Sequence, residues 1–436
     1  CKLLLKSSGQ KFARTPKPRY HICEVAEPPF FVFTKNKSKG IYFIMQSDSL
    51  MNTYGPSQCS LVRGEGCWVW DEHGKKYLDG LSGIAVCGLG HSHPSVANAV
   101  AEQAKELVHC SNFFSIPKQV QLAEELCEIS KMRRVFFSNS GAEANEAAIK
   151  IARLHGNKCG LKIPTIIVMD NAFHGRTMAT LSASGGRKVQ AGFEPLVSGF
   201  VRAPFNDIPS VEKIASNNTN ICAVFVEPIQ GEGGINIPSK NYLNELQSLC
   251  KTKNWLLMID EVQTGNGRTG KYFCYQHNNI VPDVVTTSKG LGNGVPIGAC
   301  LASSWAADLM KPGNHGSTFG GNPLSCAAAL ASVQYIREEN LSERAEIIGK
   351  SIMRGLKLRL KSATNVSDIR GKGCMIGVQL DRPCKSLFKL ALEKGLLINV
   401  TADSVIRLLP PLIISDDQIN LLVDTLVPLI LDFVED

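Results

Sequence analysis

The sequence predicts an α/β fold built on a mostly parallel β-sheet, and three observations point that way. Short runs of consecutive apolar residues recur through the middle of the chain and end in a carboxylate or a glycine, as strands buried on both faces do. Helix-like stretches separate those runs between residues 134 and 302, the alternation that βαβ units require. The chain's 436 residues, 44% of them hydrophobic, also supply enough core for two or three subdomains.

Taken in order, Pro94 and Pro117 stand where helices can open, and helices are expected over 94–108 and 117–129. Residues 134–153 (RVFFSNSGAEANEAAIKIAR) read as strand, turn and strong helix, with Ser140 as N-cap and Gly156 just past the end. Free N–H groups at that helix start favour a phosphate. Residues 221–226 (ICAVFV) run into Glu227, Gln230, Glu232 and a glycine cluster, and residues 255–259 (WLLMI) deliver Asp260, Glu261, Gln263 and Gly265. Residues 282–294 (PDVVTTSKGLGNG) then set Lys289 between a β-branched run and a glycine-rich turn. From about residue 311 the chain is helix-rich over 322–338 and 342–361, with strands at 377–380 and 397–400 and a final helix from Asp416.

Ligands of open α/β sheets occupy the crevice at the strand ends, so acids from these two strand ends and the lysine are expected to converge there. Taken alone, Lys289 reads as a solvated turn residue. Buried against apolar walls, its amine pKa falls and the neutral nitrogen can form a Schiff base with an aldehyde. A lysine, a strand-end carboxylate and a helix-start phosphate cup are together the parts that pyridoxal phosphate needs. The carboxylate keeps the ring nitrogen protonated, and the released lysine shuttles the α proton.

The segments RGEG (63–66), GHSHP (90–94), SNSGAEAN (138–145), FHGRT (173–177), VEPIQGEGG (226–234), DEVQTG (260–265), SKG (288–290) and HGSTFGGNP (315–323) follow one another in an order that resembles the class III, fold type I, pyridoxal-phosphate aminotransferases. The resemblance runs from about Leu61 to the C-terminus. It implies a large domain with a seven-stranded, mostly parallel sheet over residues 106–310 and a smaller α+β domain from residues 46–105 and 311–436. It makes Lys289 the Schiff-base lysine, Asp260 the partner of the pyridine nitrogen and Gln263 a neighbour of the ring hydroxyl, with Glu261 and Val262 beside them. It gives the phosphate to Ser140, Gly141 and Ala142, the ring face to Phe173, and a neighbouring subunit's phosphate to Thr318, hence a homodimer with shared sites. Arg176, with Ser317 beside it, would hold the substrate α-carboxylate. Arg407 would pair with Glu232 until the dicarboxylic acceptor, 2-oxoglutarate, requires it. Residues 81–86 (LSGIAV) look like the type acting on N-acetylornithine, because Ile84 and Ala85 offer an apolar wall and no group for a free α-amino end. Ornithine, succinylornithine and succinyl-diaminopimelate are the alternatives.

Other readings fit less well. Residues 265–270 (GNGRTG) spell a dinucleotide fingerprint, but Asp260 and Glu261 would repel a pyrophosphate and no acid follows on a second strand. That leaves a dinucleotide-dependent oxidoreductase as the remote alternative. His91 and His93 have a metal-like spacing without a nearby carboxylate pair and read as a turn, so no metal is expected. The net charge of +8 is concentrated: residues 1–44 hold nine Lys and Arg against Glu24 and Glu27, leaving about +1 elsewhere. A nucleic-acid partner is therefore not expected. Residues 1–45 do not resemble the family and read as an extension or as translated upstream sequence, the alternative being a mitochondrial targeting peptide. Fifteen cysteines without a Cys-x-x-Cys pair suit a reducing compartment. No apolar run approaches the roughly 18 residues that span a membrane, so a cytoplasmic enzyme without a membrane partner is expected.

Overall fold

The apolar runs of the middle of the chain fold as one seven-stranded sheet in a computed structural model that describes residues 49–55 and 57–435. The strand order is Arg134–Ser138, Gly298–Ala302, Val284–Thr287, Leu256–Asp260, Ile221–Val226, Thr165–Met169, Phe200–Ala203. Gly298–Ala302 is antiparallel to both its neighbours, and the other six strands point one way. The strands Thr165–Met169, Ile221–Val226, Leu256–Asp260 and Val284–Thr287 are buried at every position, as a sheet covered on both faces demands. Successive residues serve opposite cores. Ile166 and Val168 pack with Ala147, Ala148 and Ile151 of the helix Gly141–Lys158, whereas Ile167 and Met169 join the other side.

Register sets what emerges at the carboxyl edge. Val226 pairs with Ile259, and Asp260 with Thr286. Glu227, Asp260 and the Ser288–Lys289 turn therefore leave the sheet side by side. The helix Gly141–Lys158 starts as expected: Ser140 Oγ accepts from the Glu143 N–H at 3.2 Å, and Glu143 accepts back from the Asn139 N–H at 2.5 Å. It does not stop at Gly156. That glycine is buried inside the helix because a Cβ there would lie 2.6 Å from Pro164 Cβ, so it answers to close packing and not to a C-cap.

Helices Pro94–Glu106 and Pro117–Ser130 begin at their prolines, and the C-terminal third carries Pro323–Glu338, Leu341–Arg359 and Asp416–Glu435. The single strand expected at 397–400 is two. Leu396–Leu397 pairs in parallel with Lys76–Asp79, completing the antiparallel set Leu61–Glu65, Trp68–Asp71, Lys76–Asp79. Asn399–Thr401 turns away to pair with Val405–Leu408 in a third sheet. Tyr54–Asp436 form one compact unit, and residues 49–53 belong to another; the extension expected at 1–45 lies outside the described residues. No helix among the described residues is long and apolar enough to cross a membrane, and the cysteines among them are free thiols.

Candidate active site

Where the strands end, the surface opens into a cavity of about 390 Å³ lined by Ser140, Gly141, Ala142, Phe173, Arg176, Asp260, Val262, Gln263 and Lys289. These come from three strand ends and one helix start, the convergence expected of an open α/β sheet. Gly141 brings the helix start against Val262, since a Cβ there would lie 2.7 Å from Val262 Cγ1. The first N–H groups of that helix have no intrahelical carbonyl to bond.

Asp260 is held from three directions. Its Oδ2 accepts from Asn145 Nδ2 at 2.8 Å and lies 2.8 Å from His174 Nδ1, while Oδ1 accepts from the Val262 N–H at 3.0 Å. The His174 ring is buried and stacked on Phe225 at 4.1 Å between centroids. Asn145 Oδ1, His174 Nε2 and Glu227 Oε2 are buried without a partner. Burial pushes the Glu227 carboxyl far above the usual range, and Asp260 and Glu232 push the same way. Glu227 stands with the strand-end acids expected to converge here, whereas Asn145 and His174 lie inside quoted motifs yet carried no expected role.

Lys289 follows the strand Val284–Thr287 with a left-handed φ of +48°. Ser288 Oγ donates to the Ile297 carbonyl at 2.7 Å and fixes the turn. Burial lowers the amine's pKa and Arg407 adds to this, against the pull of Glu232, Asp260 and Glu227. The result is a nitrogen more often neutral than a surface lysine.

Arg407 and Glu232 are paired. Arg407 is only 1% exposed, and its Nη1 donates to Glu232 Oε1 at 2.5 Å and to Gln263 Oε1 at 3.4 Å. Asn399 Oδ1 accepts from Nε at 3.0 Å and from Nη2 at 2.8 Å, a second anchor that the sequence did not reveal. Burial raises the Glu232 carboxyl, but Arg407, Lys289 and Gln263 outweigh it and hold it below the usual range. Gly231 lets the Gln263 amide lie close to the backbone, since a Cβ there would sit 2.4 Å from Gln263 Oε1 and push that amide aside.

Several expected residues sit elsewhere. Glu261 faces the core, where its oxygens accept from Thr264 Oγ1 at 2.6 Å and the Tyr275 N–H at 2.8 Å; alternation along the strand sends it away from Asp260. Burial pushes its carboxyl up to about 7. Ser317 and Thr318 line a separate, open cavity with His109, Asn112, Phe113 and His315, although Asn139 Nδ2 donates to Ser317 Oγ at 3.3 Å. Within 81–86 only Val86 lines the site; Ala85 is buried against Ile229 and Leu409, and Ile84 packs on that cluster. His91 does have a carboxylate, with Nε2 2.7 Å from Asp79 Oδ2. Residues 265–270 form turns around a buried Arg268 that donates to the Cys374 and Pro410 carbonyls.

Comparison with known proteins gives the family. The class-III aminotransferase profile matches residues 50–430. The acetylornithine aminotransferase of Nitrosomonas europaea is 52% identical over 386 residues, 88% of this chain and 98% of that protein. That of Methanothermobacter thermautotrophicus is 45% identical over 377 residues, 86% of this chain and 95% of the relative. Among solved structures, the ornithine aminotransferase of Toxoplasma gondii superposes with a TM-score of 0.85 at 34% identity, covering 88% of this chain and 93% of that one. The acetylornithine aminotransferase of Elizabethkingia anophelis gives 0.79 at 37%, covering 88% and 96%. With the profile covering most of the chain and relatives 45–52% identical over nearly their whole length, the chain belongs to the class-III aminotransferases.

Proposed function

We propose that this enzyme transfers the side-chain amino group of N2-acetyl-L-ornithine to 2-oxoglutarate, using pyridoxal phosphate, as a homodimer. The observation that carries the cofactor is the cavity itself: a buried carboxylate, a lysine with a lowered pKa and a helix start share one space of about 390 Å³. The residues fit the group. The helix-start amides of Gly141 and Ala142 suit its phosphate, the Phe173 face suits its ring, and Asp260 suits a protonated ring nitrogen. Bound there, pyridoxal phosphate supplies an aldehyde carbon for the amino group and an electron-poor ring for the electron pair left when the C–H bond beside the reacting nitrogen breaks.

The chain's own residues do the rest. Lys289 Nζ, neutral when released, would take that proton and deliver it across the reacting nitrogen to the carbon that was the cofactor's aldehyde. Arg176, exposed at the rim with its guanidinium 5.6 Å from the Phe173 ring centre, grips the α-carboxylate. While the donor is bound, Glu232 and Asn399 occupy Arg407; 2-oxoglutarate then draws Arg407 to its second carboxylate. The apolar Val86 and Ile229 suit an acylated nitrogen, and relatives named for acetylornithine support that choice. The dimer rests on Thr318 and Ser317, which line the open cavity with Phe113, 95% exposed, beside Phe319, 59% exposed. An apolar edge of this kind suits a second copy. The sheet shared by residues 61–79 and 396–397 supports grouping 46–105 with 311–436 as the smaller domain.

The test begins with the purified protein loaded with pyridoxal phosphate. Borohydride should fix the cofactor to the peptide containing Lys289, and Lys289→Ala should lose both the label and turnover. Transamination by Lys289→Ala at the wild-type rate overturns the assignment. A kcat/KM for ornithine or a succinylated diamine above that for N-acetylornithine overturns the substrate.

A further inference from the structure

The wall of the site contains a strained segment. Ser82, Gly83, Ile84 and Ala85 take φ values of +53°, +62°, +67° and +62° in succession, one turn of left-handed helix. The N–H groups of Ala85 and Val86 close it onto the carbonyls of Leu81 and Ser82 at 3.1 and 2.8 Å. Left-handed backbone is costly for any residue but glycine, most of all for a β-branched one such as Ile84, and it persists only where neighbours over-determine it. One restraint is local, from Asp79, and one comes from the C-terminal third, from Leu409. Asp79 Oδ1 accepts the Leu81 and Ser82 N–H groups, both at 2.8 Å, and Ser82 Oγ donates to the Leu409 carbonyl at 2.7 Å.

Another restraint arrives from the lysine turn. Asn293 Oδ1 accepts the Leu89 N–H at 2.9 Å, and its Nδ2 donates to the Gly90 carbonyl at 3.1 Å. Asn293 itself has φ +46°, a conformation asparagine tolerates. The two backbones also run close together: a Cβ added at Gly290 would meet the Ala85 carbonyl oxygen at 3.5 Å. Val86, which lines the cavity, lies between the strained turn and the two groups that Asn293 holds.

We propose that Asn293 is a positioning residue that latches the segment 80–91 to the Lys289 turn and so sets the distance between the Val86 wall and the reacting nitrogen, sharpening the choice of an acylated donor. The substrate half of this inference rests on the function proposed above; the latch does not. Asn293→Gly tests it, because glycine keeps the left-handed backbone and removes only the side chain. Peptides covering 81–91 should exchange amide hydrogen at least tenfold faster, with the rest of the protein unchanged. The ratio of kcat/KM for N-acetylornithine to that for ornithine should fall tenfold or more, and borohydride should still label Lys289. Asn293→Asp, which keeps the acceptor for Leu89, should fall between. Unchanged exchange over 81–91 in Asn293→Gly overturns the latch, as does faster exchange spread over the whole chain. Fast exchange with an unchanged ratio overturns its part in specificity, provided the wild type prefers N-acetylornithine; if it does not, the proposed substrate fails and the exchange result still judges the latch.

Discussion

Replacing His91 by asparagine should cost stability that depends on pH in a direction fixed by the structure. His91 Nε2 lies 2.7 Å from Asp79 Oδ2 with the imidazole 22% exposed. Hydrogen bonds to Asp79 and then Cys87 outweigh burial and push its pKa up to about 10, against an ordinary 6.5. A base whose pKa is higher folded than unfolded stabilises the fold in its charged form. That contribution is complete below about pH 6.5, declines by about 1.4 kcal/mol per pH unit above it, and is exhausted above about pH 10. The whole interval is equivalent to about 5 kcal/mol, which solvent at the partly exposed ring should reduce to about 2–3 kcal/mol. Urea unfolding of wild type and His91→Asn at about pH 6, 8 and 10 would measure it. We expect a deficit of about 2–3 kcal/mol at the lowest pH that shrinks to under about 1 kcal/mol at the highest. An equal deficit at all three would refute the charged pair and leave only a neutral hydrogen bond.

Asp260→Asn removes the charge that Asn145 and His174 hold in place, and kcat/KM should fall at least about 100-fold, or ~2.7 kcal/mol; a loss under tenfold in steady-state assays would argue against its role at the ring nitrogen. Arg407→Met should slow the half-reaction with 2-oxoglutarate about 100-fold more than the half-reaction with the amino donor, and equal losses in stopped-flow traces would mean that the arginine is structural. Gly156→Ala places a Cβ 2.6 Å from Pro164 Cβ and should destabilise by about 1–3 kcal/mol in urea, whereas helix propensity alone would stabilise by up to about 1 kcal/mol; the sign decides between them.

Much of this was legible in the sequence because its signals are local. An apolar run ending in Asp260, a capped helix start at Ser140 and a lysine before glycines each declare themselves within a dozen residues, and sheet geometry brings strand ends together. What stayed hidden depends on partners distant in sequence. His174 meets Asp260 from 86 residues away, and Asn293 reaches Leu89 from 204 residues away. Glu261 turns to Thr264 and Tyr275, and adjacency to Asp260 in a motif says nothing of which face a side chain takes. Gly156 was misread because one glycine can serve a helix end or a close contact, and only Pro164 decides. The left-handed turn at Ser82–Ala85 has no sequence signature, since Ile84 is among the residues least suited to it.

The pairing of Leu78 with Leu396 has a bearing on how the protein is made. A ribosome adds about 5–20 residues per second, so the first three strands wait roughly 15–60 s for the strand that completes their sheet. During that wait Asp79 carries an open strand edge, and edges of that kind recruit other chains. The central sheet has all seven of its strands by Ala302, well before Leu396 is added. Nascent chains stalled between those two points should therefore hold the sheet of the active site while still depending on chaperones to shield the N-terminal strands.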